Sequence, residues 1–109
     1  MKRLKFAEPL PAMVLGGEKT TTWRINDDKD VSIGDTLSLC DTDGREFAAA
    51  LVHSVRMTRF GALSEDDWDG HETFSSADEC YRTYSRNYGF TVTKDTPVKV
   101  IKFTLLNTL

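Results

Sequence analysis

The dipeptide Asp43-Gly44 opens onto a strand-forming run from Glu46 to Phe60, and that run constrains the fold more than any other segment. Asp-Gly tolerates the positive φ of a tight hairpin turn. The preceding strand, Thr36 to Cys40 with Leu37 and Leu39 alternating, therefore folds back against the run. Strands are usually ~5–6 residues long, so one of this length must bend, and a bent strand in a small chain implies a barrel. With 109 residues the chain suits one domain with one core and one cleft. That excludes two-domain dinucleotide enzymes, (β/α) barrels and most large cofactor enzymes.

The remaining segments fit around this hairpin. Leu4 and Phe6 read as a short first strand. Pro9 to Leu15 reads as a short helix, because proline near a helix start has a ready-made φ. Gly16-Gly17 ends it. Thr20 to Ile25 is a β-branched and aromatic strand, and Ile33-Gly34-Asp35 is a turn. Ser64 to Asp69 reads as an acidic turn or short helix. Ser76 and Glu79 form a capping box that opens a helix running to Tyr88. On it Ala77, Cys80, Tyr81, Tyr84 and Tyr88 recur at helical spacing and form one stripe. Gly89 stops it. Val98 to Leu106 carries apolar residues on both sides, as a strand buried on both faces does. The expectation is an α+β single domain over residues 1–109: a small mixed β-barrel with one or two flanking helices.

Charge limits the partners. Fourteen Lys and Arg against seventeen Asp and Glu give a net charge of −3, which argues against tight nonspecific binding to a phosphate backbone. The first 25 residues are nevertheless basic, with Lys2, Arg3, Lys5, Lys19 and Arg24 against Glu8 and Glu18. A positive pocket for a small polar or anionic ligand is compatible with this. Cys40 and Cys80 lie in apolar surroundings without Cys-x-x-Cys spacing and read as buried thiols of a reducing compartment. Glu8, Pro9 and Pro11 interrupt any secretory apolar stretch, and no run approaches a membrane span. A cytoplasmic protein without membrane contact is expected. Whether it is a monomer or a dimer stays open.

Chemistry concentrates in Gly16-Gly17-Glu18-Lys19-Thr20-Thr21-Thr22-Trp23-Arg24. Side chains alternate along a strand, so Thr20, Thr22 and Arg24 share one face while Thr21, Trp23 and Ile25 point to the core. Lys19, in the turn before the strand, can reach the same face as Thr22. A threonine hydroxyl needs a base to become a nucleophile. A lysine can be that base when burial and a neighbouring cation such as Arg24 push its pKa down. A nearby carboxylic acid could then protonate a departing amine. This is one way to hydrolyse an amide. An ordinary glycine turn into a threonine-rich surface strand is the other reading of the same spacing. The segment is not a phosphate-binding P-loop, whose order of residues differs.

These residues resemble the ASCH domain family, whose fold is PUA-like. The resemblance rests on Gly17, Lys19, Thr22 and Arg24, then Gly34-Asp35, then the closing strand Pro97-Val98-Lys99-Val100-Ile101-Lys102-Phe103. It runs through nearly the whole chain in order. Small bacterial members of the family are amidohydrolases that deacetylate N4-acetylcytidine, using lysine as proton acceptor, threonine as nucleophile and glutamate as proton donor. The resemblance implies these roles for Lys19 and Thr22. It implies the acid role for Glu72, which follows Leu63-Ser64-Glu65 at the matching distance. Trp23 stands where those members usually carry an aliphatic residue. Other members are thought to bind or cleave RNA, so an RNA base reader and a ribonuclease stand beside the amidohydrolase. The small-molecule partner implied is a modified nucleoside, with no metal or organic cofactor.

Several further residues could line the same cleft. Arg24 would orient the substrate, and Gly17 would leave it room. His71, beside Glu72, could line the wall, and Trp68 could clamp a base or close the edge of the core. Tyr84, central in the helical stripe, could face the barrel or its mouth. His53 reads as an ordinary barrel residue. The acidic run Glu65, Asp66, Asp67, Asp69 and Glu72 resembles a calcium loop only in part, because its twelfth position is Ser76 rather than a bidentate glutamate. It reads as a solvated acidic loop.

Overall fold

The computed structural model describes residues 1–108. The long run folds as anticipated: β4, Glu46–Arg59, is one continuous strand, and it bends. Its register against the last strand, β5 (Pro97–Thr108), shifts between Ala49 and Ala50 and again between Val52 and Ser54. Such bulges increase local twist and let a strand curl. The hairpin pairs β4 with β3, Thr36–Cys40, around a turn in which Gly44 has a φ of 87°. The Asp41 carboxylate accepts the backbone N–H groups of Asp43 and Arg45 and holds that turn.

Strand β1, Lys2–Lys5, runs parallel to β3 at one edge, and β2, Thr21–Arg24, runs antiparallel to β5 at the other. The sheet order is β1-β3-β4-β5-β2. Curling brings the two edges together, and the Arg24 guanidinium spans the seam by donating to the Lys5 carbonyl at 3.0 Å. The result is an α+β half-barrel.

Each face of the curled sheet carries a core. Leu4, Phe6, Leu37, Leu39, Ala48, Ala50, Val52, Ile101 and Phe103 fill one face together with Val14 of helix α1, Leu10–Leu15. Trp23, Ile25, Phe60, Cys80, Tyr84, Val92, Val98 and Val100 fill the other. β5 serves both, with Val98 and Val100 on one side and Ile101 and Phe103 on the other, as its two-sided pattern requires.

Three helices flank the sheet rather than one or two, because the acidic segment forms a short helix of its own, α2, Glu65–Trp68. It carries a complete capping box: Ser64 accepts the Asp67 N–H and Asp67 accepts the Ser64 N–H. Helix α3, Ala77–Tyr88, starts on Ser76, whose hydroxyl accepts the Glu79 N–H at 3.1 Å. The reciprocal bond of Glu79 goes to Ser75 instead of the cap residue. Ala77 is exposed, so the buried part of the stripe is Cys80 and Tyr84 flanked by half-buried Tyr81 and Tyr88. Cys40 and Cys80 are buried free thiols. Among the described residues no helix is long and apolar enough to cross a membrane.

Candidate active site

Strand β2 is stitched to the segment after α2. The backbone N–H groups of Thr20 and Thr21 both donate to the Gly70 carbonyl, at 2.8 and 3.0 Å. The Thr21 hydroxyl donates to the Asp69 carbonyl at 2.6 Å. Lys102 ties the same corner by donating to the carbonyls of Asp66 and Asp69. Gly70 permits this approach. Its φ is +79°, and a Cβ there would lie 2.0 Å from the Thr20 hydroxyl oxygen. The stitching carries His71 and Glu72 onto β2, 53 residues away from Lys19 in sequence.

Lys19 is 1% exposed. Its ammonium donates to the Thr21 carbonyl at 2.8 Å and forms an ion pair with Glu72. Burial drives the Lys19 pKa below its ordinary value; Glu72 opposes this and the Arg24 cation adds to it. The Glu72 side chain keeps 22% of its exposure. Burial acts to raise its carboxyl, but the Lys19 charge, His71 and hydrogen bonds outweigh that and hold it below the usual range.

Glu72, Thr22 and Arg24 line one cleft of about 630 Å³, within the size range of small-molecule sites. Parity along β2 operates as the alternation requires. Thr22 pairs across from Ile101 on one face, and Trp23 pairs across from Val100 on the other. The Arg24 Nε–H donates to the Thr22 hydroxyl oxygen at 3.3 Å, so the hydroxyl accepts there and its own proton is not consumed. The guanidinium lies 4.9 Å above the Phe6 ring. Lys19 itself is not part of the cleft wall; Glu72 stands between it and the opening.

His71 is 6% exposed and is sandwiched into the second core. Its ring stacks on Trp23 with centroids 3.6 Å apart and planes 15° from parallel. Nδ1 is 2.7 Å from the Glu72 carbonyl and Nε2 is 3.1 Å from the Tyr84 hydroxyl. A carbonyl only accepts, so Nδ1 carries the proton and Nε2 accepts from Tyr84. Burial and the Lys19 charge lower the imidazole to about 4, so it is neutral around pH 7. His71 therefore braces the Glu72 backbone from behind instead of walling the cleft. Tyr84 does line the cleft, and burial raises its phenol above the ordinary range.

Two candidates lie elsewhere. Gly17 has a φ of +86° in the exposed turn after α1, and a Cβ there would meet nothing within 4 Å. Its freedom serves the turn, and it is not in the cleft wall. Trp68 closes the edge of the core, edge-on to Trp23 at 4.6 Å, and does not line the cleft.

The acidic run is not uniformly solvated and does not converge on one point. Asp67 is buried and receives Arg56 through two bonds, 3.1 and 2.5 Å, which hold its carboxyl at about 2. His53 is exposed. Among the residues that line the cleft, sequence reasoning did not single out Phe6, Trp23, Phe74 or Asn87. Tyr88, the last aromatic of the helical stripe, lines it as well.

No family model matches the sequence, and no curated protein matches it. Solved structures do. An ASCH domain from Lactobacillus crispatus JV V101 superposes with a TM-score of 0.67 at 16% identity, covering 87% of this chain and 69% of that one. A protein of Enterococcus faecalis V583 from the family DUF984 gives 0.75 at 17%, covering 92% and 71%. The hypothetical protein PH0355 gives 0.73 at 20%, covering 97% of this chain and 100% of that one. The chain has the ASCH-domain fold. At these identities the ASCH likeness is one of overall fold alone.

Proposed function

We propose that this ASCH-fold chain is an amidohydrolase that removes the acyl group from N4-acetylcytidine or a related acylated pyrimidine nucleoside. The observation that carries the reading is the dry Lys19–Glu72 pair, which meets solvent only through Glu72, in the cleft that Thr22 and Arg24 line.

The pair holds one proton that can sit on either partner. Moved from the Lys19 amine to the Glu72 carboxylate, it leaves a neutral base and a carboxylic acid side by side. The Thr22 hydroxyl then gives its proton to Lys19, and its oxygen bonds to the acetyl carbon. Negative charge develops on the acetyl oxygen, where the Arg24 guanidinium stabilises it. Collapse breaks the C–N4 bond as Glu72 delivers its proton to N4. Cytidine leaves and an acetyl ester remains on Thr22. Water attacks that ester and gives a proton to Glu72, the Thr22 oxygen recovers a proton from Lys19, and acetic acid departs and loses its proton to solvent as acetate.

The test is chromatography of N4-acetylcytidine incubated with the protein. Cytidine and acetate are expected in equal amounts from the wild type and neither from Thr22→Ala. A wild type that hydrolyses no acylated pyrimidine nucleoside overturns the reading. Saturable binding without acetate release would make the cleft a base-reading module instead.

A further inference from the structure

The cleft continues into a second groove of about 520 Å³, and the two share Lys5, Arg24 and Tyr88 in their walls. The second groove lies along the seam where the sheet edges meet. Leu4 and Phe6 of the first strand segment point into the core, so Arg3 and Lys5 point out along the groove. Arg24 faces them from β2. Lys29 stands on the loop beyond, and Tyr88 and Phe90 form an aromatic wall, centroids 6.2 Å apart. Of the two carboxylates in this groove, Asp27 is already paired with Lys99 at 2.9 Å and Asp28 lies 3.9 Å from Lys29. Among the described residues none pairs with the Lys5 ammonium, and Arg3 donates only to the Gly44 carbonyl and the Cys40 sulfur. A chain of net charge −3 thus concentrates uncompensated cations at the exit of its candidate active site.

The chemistry of the substrate says what leaves by that exit. In a pyrimidine nucleoside the N4 amide and the glycosidic nitrogen stand at opposite corners of the ring. With the amide at Thr22 and Glu72, the ribose and whatever it carries must point away from them. We propose that the seam groove is a phosphate subsite, and that the preferred substrate carries a phosphate ester on its ribose. This rests on the amidohydrolase reading for the orientation of the base. Cations in a partly enclosed groove favour a phosphate dianion through charge-assisted hydrogen bonds.

The experiment compares kcat/KM for N4-acetylcytidine, its 5′-monophosphate, and a dinucleotide with N4-acetylcytidine at its 3′ end. The monophosphate is expected to be better than the nucleoside by about tenfold or more at low salt, with the gain shrinking at 0.5 M salt, where the Debye length falls to about 4 Å from about 30 Å at 0.01 M. Arg3→Gln and Lys5→Gln should each cut that preference severalfold, and Arg3→Gln should leave turnover of the unphosphorylated nucleoside unchanged. A better dinucleotide assigns the phosphate to a polynucleotide; a refused one assigns it to mononucleotides. Equal efficiency for nucleoside and monophosphate, or a preference that survives both variants, overturns the subsite. Calorimetric titration with cytidine and cytidine 5′-monophosphate tests the subsite even where no hydrolysis occurs. Tighter binding of the monophosphate supports it, and equal binding refutes it.

Discussion

Acidification probes the buried histidine directly. His71 titrates at about 4 in the folded chain against an ordinary value of 6.5. The unfolded chain therefore binds the imidazole proton through a pH window in which the folded chain refuses it. Below pH 6.5 each unit of acid favours the unfolded state, until the folded imidazole also protonates near pH 4. The contribution is thus complete above the ordinary value and lost as pH falls. At about 1.4 kcal/mol per pH unit, the full effect is about 3 kcal/mol, and about 2.5 kcal/mol of it disappears between pH 7.5 and 4.5. That is a large share of a typical domain's ~5–15 kcal/mol. The structural cause is specific: the ring is pressed on Trp23, and both its nitrogens are committed to Glu72 and Tyr84.

Urea denaturation across that range measures the effect. The wild-type midpoint should fall by on the order of 1–2 M. The variant His71→Gln, less stable throughout, should show a nearly flat dependence over the same range. Asp67 and Glu72, held below their ordinary values of 3.8 and 4.5, begin to lose their contributions only at the acid end of that range and below it. A wild type whose stability does not change between pH 7 and 5 refutes the buried neutral imidazole. A His71→Gln variant with the wild-type slope does so equally.

Other consequences follow from the same contacts. Glu72→Gln leaves a buried ammonium without its partner and should cost roughly 3–5 kcal/mol near pH 7. The loss should shrink as pH rises toward 10.5, because Lys19 then sheds its proton in the fold; adding Lys19→Met should restore most of the stability while activity stays lost, as a double-mutant cycle by denaturation will read. Gly70→Ala puts a side chain at a φ of +79° and against Thr20. It should lower Tm by about 4–8 °C or more and reduce kcat, because the displaced loop carries Glu72. Trp68→Leu should destabilise by about 1–3 kcal/mol and leave KM for the nucleoside unchanged; a raised KM would return Trp68 to the cleft.

Local periodicity accounts for what the sequence made legible. The alternation of Thr21, Thr22, Trp23 and Arg24 separates the two faces of β2, because strand parity depends only on neighbours, although the Trp23 ring also reaches the cleft wall. The Asp43-Gly44 turn and the two-sided pattern of Val98 to Phe103 fix the hairpin and the doubly buried strand for the same reason. What escaped depends on where the segment between Ser64 and Ser76 comes to rest. Nothing adjacent to Trp68 says that its ring meets Trp23, and nothing adjacent to Asp67 says that it is buried against Arg56. Gly17 was assigned a role in the cleft because it neighbours Lys19 in sequence, yet the turn carries it outward. The glycine that matters for close approach is Gly70, and the Asp69-Gly70 dipeptide was its only local trace.

The burial of Lys19 has the widest consequence. The glycine turn allowed either a desolvated or a solvated lysine, and this one has exchanged water for the Thr21 carbonyl and Glu72. Its partner is the wet end of the pair, with the cleft as its remaining contact with solvent. Solvent in the cleft stabilises the charged form of Glu72, which in turn keeps Lys19 an ammonium; in the proposed reaction Thr22 would stay unactivated in that state. A base seated over Glu72 removes the water, and a drier pair favours the neutral amine and carboxylic acid over the two ions. In the proposed reaction the general base and the general acid would thus be generated together, from one proton, when the site fills.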